Sequence, residues 1–511
     1  MNIQKIIILD FGSQYTQIIA RKVREIGVYA EIYPYNLTKE KLLSLNPSGI
    51  ILSGGPNSVY SKNAPHPFDE LFTLGIPILG ICYGLQLIAY LNNGSVDKSA
   101  AREFGRANLI IDKPNKLLEG INSNQVWMSH GDSLKALPED FEIIAHTDNS
   151  PIAAIQNEQK RIFGVQFHPE VHHTTDGKKI LENFVRRICE ISDNWTTESF
   201  IETTIAQIQN QVGKDEVICA LSGGVDSTVL AVLLHKAIGD KLHCIHIDTG
   251  LMRLNESHKL MDLFNQNFNM SIELIDASDT FLQRLKGVTD PEEKRKIIGK
   301  SFIDIFEVGA KRFNNAKWLA QGTLYPDVIE SVSVKGPSVV IKSHHNVGGL
   351  PEKMGLKLVE PFRELFKDEV RAVGRQLGVP DWFVRRHPFP GPGLAIRILG
   401  EITPERIDVL QRADAIYIEG IRDAGLYDQI WQAFAVLLPI QSVGVMGDER
   451  TYESTCVLRA VTSVDGMTAD WFPMPYDVLS IISNRIINEI RGINRVVYDI
   501  TSKPPGTIEW E

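Results

Sequence analysis

Short apolar runs, each followed by a turn and a helical stretch, recur along the chain in two separate series. The runs of the first series are Ile6–Leu9, Gly49–Leu52 and Ile76–Leu79. The runs of the second series are Val217–Leu221, Leu242–Ile247 and Trp318–Ala320. Alternation of buried strands with helices is typical of parallel sheets that are covered on both faces. The sequence therefore predicts an α/β fold with two open parallel-sheet domains.

Two breaks in this pattern divide the chain, whose 511 residues are too many for one core. A polar stretch at 191–198 ends the first series, and a Pro/Gly-rich stretch at 387–393 follows the second. Beyond that point the pattern is mixed, which indicates an α+β segment. We predict domains at 1–192, 196–388 and 389–511.

Composition limits the class of protein. The net charge of −10 disfavours nonspecific nucleic-acid binding, which needs an extended basic surface. No apolar run approaches the roughly 18 residues of a membrane span. Five scattered cysteines without a C-x-x-C pair argue against a disulfide framework and a zinc site. We expect a cytoplasmic protein that acts on small molecules, with no nucleic-acid or membrane partner.

Cys82 occupies the centre of Gly80-Ile81-Cys82-Tyr83-Gly84, between a predicted strand and a predicted helix. This is the spacing of a nucleophile elbow, in which glycines two residues before and after the nucleophile relieve crowding on a strained turn. A helix N-terminus also lowers the pKa of a thiol. The alternative is a buried structural cysteine, but the flanking glycines favour a nucleophile.

A general base and its partner follow the strand predicted at 162–167, in His168-Pro169-Glu170. The spacing lets both side chains point the same way. We expect His168 to accept the Cys82 proton and return it to the leaving group, while Glu170 holds the imidazole tautomer. His-x-Glu alone is weak evidence, but with the elbow in the same domain it is strong.

An oxyanion hole is predicted from the backbone N–H groups of Gly55, in Ser53-Gly54-Gly55-Pro56, and of Tyr83. With Cys82, His168 and Glu170, these motifs resemble the class I glutamine amidotransferases over about residues 1–190. That resemblance implies a γ-glutamyl thioester on the cysteine. It also implies that the residues that help hold glutamine are Gln86 and the turn formed by Ser129, His130, Gly131 and Asp132.

A glycine-rich loop lies between the run 217–221 and a helix predicted from about Thr228. Such loops bind phosphate through backbone N–H groups and the helix dipole. The loop lacks the Gly-Lys-Ser/Thr of a Walker A motif, which disfavours γ-phosphoryl transfer. We predict that Asp226 is a Mg²⁺ ligand. The residues of this phosphate loop are Ser222, Gly223, Gly224, Val225, Asp226, Ser227 and Thr228.

Ser-Gly-Gly-x-Asp-Ser resembles the pyrophosphate loop of the ATP pyrophosphatases, in which ATP adenylates an acceptor oxygen. The resemblance implies ATP as a co-substrate, with Mg²⁺, and it implies that ATP is bound by the loop residues 222–228 and by Asp248. Asp248 ends the next predicted strand, and the sequence leaves open whether it contacts the nucleotide or caps a helix.

Five further stretches resemble the GMP synthase family, and together the motifs span the whole chain in order. These stretches are 290–299, 321–331, 341–346, 387–394 and 503–511. The resemblance implies amination of xanthosine 5′-monophosphate (XMP) with ammonia from glutamine, and a homodimer formed through the segment beyond about 395. It implies that XMP is bound by Arg295, Lys503, Ile508 and Glu509, and that a lid at 336–351 carries Lys342, His344 and His345.

Two alternatives stay open on the sequence. One is another ATP-dependent synthetase of the pyrophosphate-loop group, which makes NAD or asparagine or modifies tRNA; the fused Gly-x-Cys-x-Gly domain and the tail at 503–511 argue against it. The other is a nucleotide-binding regulatory protein with an inactive glutaminase. The intact Cys82, His168 and Glu170 argue against that reading.

Overall fold

The computed structural model describes residues 4–192, 195–332, 355–446, 449–463, 466 and 468–511. The described residues form two compact units. One contains the residues up to 200 together with 326–332, and the other contains 201–325 and the residues from 355 onward. The predicted lid at 336–351, with Lys342, His344 and His345, lies outside the described residues. The three predicted domain ranges stay a prediction.

The first unit contains an eight-stranded sheet with the order β2-β1-β3-β4-β10-β9-β8-β6, and a two-stranded sheet of β5 and β7. The first five strands of the large sheet are parallel and the other three pair antiparallel. The strands are β1 (Lys5–Asp10), β2 (Tyr29–Pro34), β3 (Gly49–Leu52), β4 (Ile78–Ile81), β5 (Ser95–Asn108), β6 (Ile110–Ile111), β7 (Gln125–Ala136), β8 (Glu142–His146), β9 (Ala154–Asn157) and β10 (Ile162–Val165).

The helices of this unit connect and cover these strands; they are α1 (Thr16–Glu25), α2 (Lys39–Ser44), α3 (Tyr83–Leu91) and α4 (Gly177–Asn183). Every residue of β3, β4 and β10 is buried, as expected for strands covered on both faces. These three strands are neighbours and run in the same direction. The turns that follow them therefore meet at one edge of the sheet.

The second unit contains a five-stranded parallel sheet with the order β13-β12-β11-β14-β15. Its strands are β11 (Glu216–Leu221), β12 (Leu242–Asp248), β13 (Ile272–Asp276), β14 (Ala316–Ala320) and β15 (Lys357–Val359). The helices from this part of the chain are α5 (Thr197–Val212), α6 (Val225–Ile238), α7 (Glu256–Phe268), α8 (Ser278–Leu285), α9 (Pro291–Ala310), α10 (Tyr325–Val332), α11 (Lys367–Gln376) and α12 (Asp381–Val384). The chain leaves β11 for one neighbour and returns later to the other. The carboxyl end of β11 is therefore a switch point, where open α/β sheets bind ligands.

The last part of the second unit is a mainly antiparallel sheet packed against two helices. Its elements are α13 (Pro404–Asp423), β16 (Gln432–Met446), β17 (Glu449–Thr462), β18 (Asp470–Trp471), α14 (Tyr476–Glu489) and β19 (Ile493–Tyr498). None of the helices in the described part of the chain combines the length and the apolar character that crossing a bilayer requires.

The predicted fold class is confirmed, with local corrections. The strand predicted at 76–79 runs from 78 to 81, and the helix predicted from about Thr228 begins at Val225. The glutamine-binding turn predicted at 129–132 is wrong in conformation, because these residues lie inside β7 and are held by its pairing with β5.

Candidate functional site

Cys82 lies on a strained junction between β4 and α3. Its backbone has φ 54° and ψ −105°, outside the regions that residues other than glycine favour. A Cβ atom at Gly80 would lie 2.5 Å from the carbonyl carbon of Gly84, and a Cβ at Gly84 would overlap the carbonyl oxygen of Leu52. Both flanking glycines are therefore required for the backbone to turn this tightly, and the turn places the thiol at the sheet edge.

His168 and Glu170 follow β10, the strand next to β4. The Nδ1 atom of His168 donates to Oε1 of Glu170 at 2.7 Å, and both side chains are buried. Burial on its own lowers the pKa of His168. The charge of Glu170 and hydrogen bonds with Cys82 and Glu170 outweigh it and hold the pKa of this histidine well above 6.5. The site therefore favours a protonated imidazole beside the thiol.

The loop after β3 bounds the space beside the thiol. A Cβ atom at Gly54 would lie 3.2 Å from Cε1 of His168 and 3.7 Å from Cβ of Cys82, so a side chain at this position would press on the His168 ring. The N–H groups of Gly55 and Tyr83, the predicted oxyanion donors, make no hydrogen bond within the described part of the chain. Both groups are available to a ligand.

The predicted glutamine-binding residues come partly together. Gln86 on α3 donates from Nε2 to the carbonyl oxygen of Asp132 at 2.9 Å, which ties the helix to β7. His130 is buried, with Nδ1 3.0 Å from the same oxygen, whereas Gly131 is exposed.

Two polar groups of this unit flank the Cys82 sulfur. The carbonyl oxygen of Ser129 lies 3.9 Å from Sγ, and Nε2 of Gln166 lies 3.7 Å from it. Gln166 is fully buried, and no sequence motif pointed to it. Its signal was a polar residue inside the apolar stretch 162–167, where burial requires a hydrogen-bond partner.

We expect Glu170→Gln to lower glutamine hydrolysis about 10²- to 10⁴-fold, because a neutral amide stabilises the imidazolium poorly. The pKa of His168 falls in the variant, and an NMR titration of its ring measures the change. The pKa of His168 in the folded protein lies above its ordinary value of 6.5. The pair of His168 and Glu170 therefore stabilises the fold fully below pH 6.5, and this stabilisation is lost as the pH rises through the folded-state pKa. An unchanged titration of His168 would contradict the assigned pairing.

The second site is the loop between β11 and α6. Gly223 adopts φ +78°. The N–H of Gly224 donates to the Ser222 hydroxyl at 3.3 Å, and the hydroxyls of Ser222 and Ser227 form a hydrogen bond of 3.0 Å. The helix α6 begins at Val225, so the backbone N–H groups of the loop and the positive end of the α6 dipole lie together at the N-terminus of this helix. This geometry suits a phosphate group.

Charged side chains surround this loop. Asp226 lies in the first turn of α6, 3.9 Å from Nζ of Lys367 at the start of α11. The hydroxyl of Thr228 is buried without a hydrogen-bond partner among the described residues. No sequence motif pointed to Lys367, although a lysine in the first turn of a helix opposes the helix dipole, which indicates that its charge is needed there.

The donor set at Asp226 fits Mg²⁺. The residues near it offer one carboxylate and the hydroxyls of Ser222 and Ser227, which are hard oxygen donors. Among the described residues, no three acidic, histidine or cysteine side chains cluster as a cage. Mg²⁺ commonly uses only one or two carboxylates and takes its other ligands from substrate phosphates and water.

Arg386 joins the loop to the segment after α12. Its Nη1 atom donates to the Gly223 carbonyl oxygen at 2.8 Å, and its guanidinium pairs with Glu256 at the start of α7. Burial lowers the pKa of Arg386 to about 10. The sequence contained this arginine within a basic cluster, but no motif linked it to the loop.

Asp248 ends β12, and its Oδ1 accepts the N–H of Gly250 at 2.9 Å. This is a local turn, while the N-cap of the next helix is Asn255. The helix-cap alternative is therefore wrong. Contact with a nucleotide stays a prediction for Asp248.

The predicted XMP-binding residues lie in the second unit. Nη2 of Arg295 donates to the backbone oxygen of Glu511 at 2.5 Å, and Nζ of Lys503 donates to the Gly466 carbonyl at 2.8 Å. Ile508 is buried and Glu509 is partly exposed. The structure thus brings Arg295 to the end of the tail that carries the other three.

Three family models match the chain. They are glutamine amidotransferase class-I at residues 7–188, PP-loop domain at 197–288 and GMP synthase C terminal domain at 419–510. The chain is 57% identical over 511 residues to GMP synthase (glutamine-hydrolysing) of Brachyspira hyodysenteriae, covering 100% of this chain and 99% of that protein. The protein of the same name from Chlorobium chlorochromatii is 58% identical over 514 residues, covering 99% and 100% of the two chains.

The chain belongs to the GMP synthase family. Within this GMP synthase family member, the amidotransferase match contains Cys82 and His168, and the PP-loop match contains the loop at Ser222. The C-terminal match contains Lys503 and Glu509.

Proposed function

We propose that this chain makes GMP from XMP, with ATP as the activating substrate and glutamine as the nitrogen donor. One observation carries the proposal: an elbow cysteine and a phosphate-binding loop without a Walker lysine occur in one chain that matches glutamine-hydrolysing GMP synthases over its full length. The overall reaction converts XMP, ATP, glutamine and water into GMP, AMP, pyrophosphate and glutamate.

Ammonia is released at Cys82. The thiolate attacks the side-chain carbonyl of glutamine, and the N–H groups of Gly55 and Tyr83 stabilise the oxyanion. The leaving ammonia takes its proton from His168, whose imidazolium Glu170 stabilises. Water then hydrolyses the γ-glutamyl thioester to glutamate. The raised pKa of His168 supports this role, since the acid is charged when it is needed.

XMP is activated at the loop 222–228. The oxygen on purine carbon 2 attacks the α-phosphorus of ATP, and pyrophosphate leaves while the loop N–H groups and the α6 dipole hold its charge. Ammonia then displaces AMP from the adenylated carbon. Mg²⁺ bound near Asp226 would supply charge neutralisation for the phosphates. Lys367 and Arg386 lie at this loop and add positive charge.

The tail at 503–511 binds XMP in this proposal, with Lys503 and Arg295 near the phosphate and Glu509 as a hydrogen-bond acceptor. Arg295 binds the end of the tail and Lys503 belongs to the tail, and two such long cations support a phosphate-binding role. The Glu509 side chain is partly exposed, which supports its role as an acceptor for a ligand.

A homodimer belongs to the proposal. Val443 and Val445 lie on one face of β16 with exposures of 54% and 73%, and Tyr452 pairs with Val443 across the sheet and is 59% exposed. Exposed apolar patches of this kind are typical of protein interfaces. A cytoplasmic location is supported by the five cysteines, all of which are unpaired.

The decisive experiment supplies ATP, Mg²⁺ and XMP with either glutamine or ammonium, and follows GMP and AMP by chromatography. We expect GMP and AMP in equal amounts from both nitrogen sources. Replacing XMP by nicotinic acid adenine dinucleotide or aspartate tests the other synthetase activities. Product from either replacement, and none from XMP, would overturn the assignment.

A further inference from the structure

The last residues of the chain are held by buried cations. Arg459 on β17 donates to the carbonyl oxygens of Thr507 and Ile508 at 2.9 and 2.8 Å, and Lys294 on α9 donates to Oε2 of Glu511 at 2.5 Å. Both cations are 0% exposed. A buried charge that lacks its partners is costly, so these contacts fix the tail on both sides of residue 509.

A third cation, Arg397, forms a bidentate ion pair with Glu509 itself. Its Nε donates to Oε2 at 3.0 Å and its Nη2 donates to Oε1 at 2.8 Å. Gln432 donates to Oε1 at 2.7 Å, and the guanidinium lies against the rings of Phe389 and Phe434. Arg397 is 0% exposed, so neither its own position nor the plane of the carboxylate is free to change.

The carboxylate of Glu509 retains a hydrogen-bond acceptor position for a ligand. A carboxylate has about four lone-pair positions, two on each oxygen. On Glu509, Oε1 accepts from both Arg397 and Gln432, whereas Oε2 accepts only from Arg397 among the described residues. The Glu509 side chain is 19% exposed. One acceptor position, on Oε2, is therefore open.

We propose that Arg397 is a positioning residue that orients Glu509 so that Oε2 accepts one hydrogen bond from the acceptor nucleotide. The inference rests on the proposed function and deepens it. The donor on the nucleotide is a single O–H or N–H group, either a ribose hydroxyl or a ring N–H. Arg397 itself does not touch the nucleotide, because its guanidinium is buried: Nε and Nη2 bind Glu509, and Nη1 is closed off from solvent without a hydrogen-bond partner among the described residues.

Arg397→Lys is the informative variant, because lysine keeps the charge but lacks two parallel donors. The tail stays attached through Arg459 and Lys294, so the change acts on the carboxylate plane. Glu509→Asp is the second variant; it preserves the charge pair and shortens the side chain by one methylene, which spares folding.

The test uses the full chain with ammonium as nitrogen donor and saturating ATP. We expect Arg397→Lys, Glu509→Gln and Glu509→Asp each to raise the KM for XMP about 10- to 100-fold, with kcat and the KM for ATP nearly unchanged. The KM for XMP of the double variant R397K/E509Q is expected to be no higher than that of the single variant with the higher KM. Both changes remove the same interaction, namely the hydrogen bond between the oriented Glu509 and XMP. Multiplying effects, or an unchanged KM in Glu509→Asp, would overturn the proposal.

Two comparisons exclude a merely structural role. Ile486 lies in the same unit and is 0% exposed, so Ile486→Ala creates a buried cavity. This variant is expected to lower Tm without changing the KM for XMP. A rise in KM equal to that of Arg397→Lys would contradict the positioning role. XMP analogues lacking the 2′-hydroxyl, the 3′-hydroxyl or the ring N–H identify which group donates to Glu509. The analogue that lacks this donor binds the wild type more weakly than XMP does, but binds Glu509→Gln as well as XMP does. A wild type that makes no GMP would instead refute the proposed function.

Discussion

Replacing Cys82 with alanine is expected to abolish GMP formation from glutamine while leaving formation from ammonium unchanged. In the proposed mechanism the thiol is the nucleophile of the first site alone, and loss of a catalytic nucleophile lowers turnover by at least about 10⁴-fold. Free ammonia enters the reaction after this step and does not require the thiol. The measurement is GMP formation with each nitrogen source at saturating ATP and XMP.

Cys189 provides a matched control in the same unit. It is buried, burial raises the pKa of its thiol, and it lies away from the elbow at the end of the helical segment that follows α4. Cys189→Ala should therefore retain both routes. If Cys82→Ala loses the ammonium route while it remains folded, the division of labour between the two sites is wrong.

Asp226→Ala is expected to abolish both routes. The variant removes the carboxylate of the first turn of α6, which is the partner of Lys367 and the proposed Mg²⁺ ligand, so the proposed mechanism loses charge neutralisation at the phosphates. Loss of one group that stabilises the developing phosphate charge, here through the proposed Mg²⁺, is expected to lower turnover by about 10²- to 10³-fold. GMP formation from glutamine and from ammonium should fall by the same factor.

Asp240→Ala is the control for this variant, because Asp240 is an exposed aspartate just beyond the other end of α6. It should leave both routes intact. Glutamine hydrolysis measured without XMP should persist in Asp226→Ala, since the first site is unchanged. Retained GMP formation in Asp226→Ala would contradict the assignment of the phosphate loop.

Much of each site could be predicted from local sequence. The elbow at Cys82 and the loop at Ser222 are contiguous motifs, in which glycine spacing dictates the backbone path and the adjoining strand and helix dictate direction. Parallel strand order then explains why His168 lies beside the cysteine: β4 and β10 are neighbours, so their carboxyl ends meet.

Other residues could not be found in this way. Lys367 reaches Asp226 because α11 packs on α6, where a Cβ atom at Gly374 would lie 2.7 Å from Cγ2 of Val229. Gln166 lies at the thiol because of its place after β10. The segment 129–132 has glycine and polar residues typical of a turn, but its partner strand is remote in sequence, and long-range pairing outweighs local preference.

The sequence by itself determined the two parallel-sheet domains, the elbow, the phosphate loop and the chemistry that they imply, because each depends on short-range spacing. Only the tertiary structure decided which further groups surround them: Gln166 beside the thiol, and Arg397 with its two hydrogen bonds to Glu509. Arg397 and Glu509 are separated by most of the C-terminal segment, and neither belongs to a motif with the other. Burial of a charge demands a partner, but only the folded chain determines which residue supplies it.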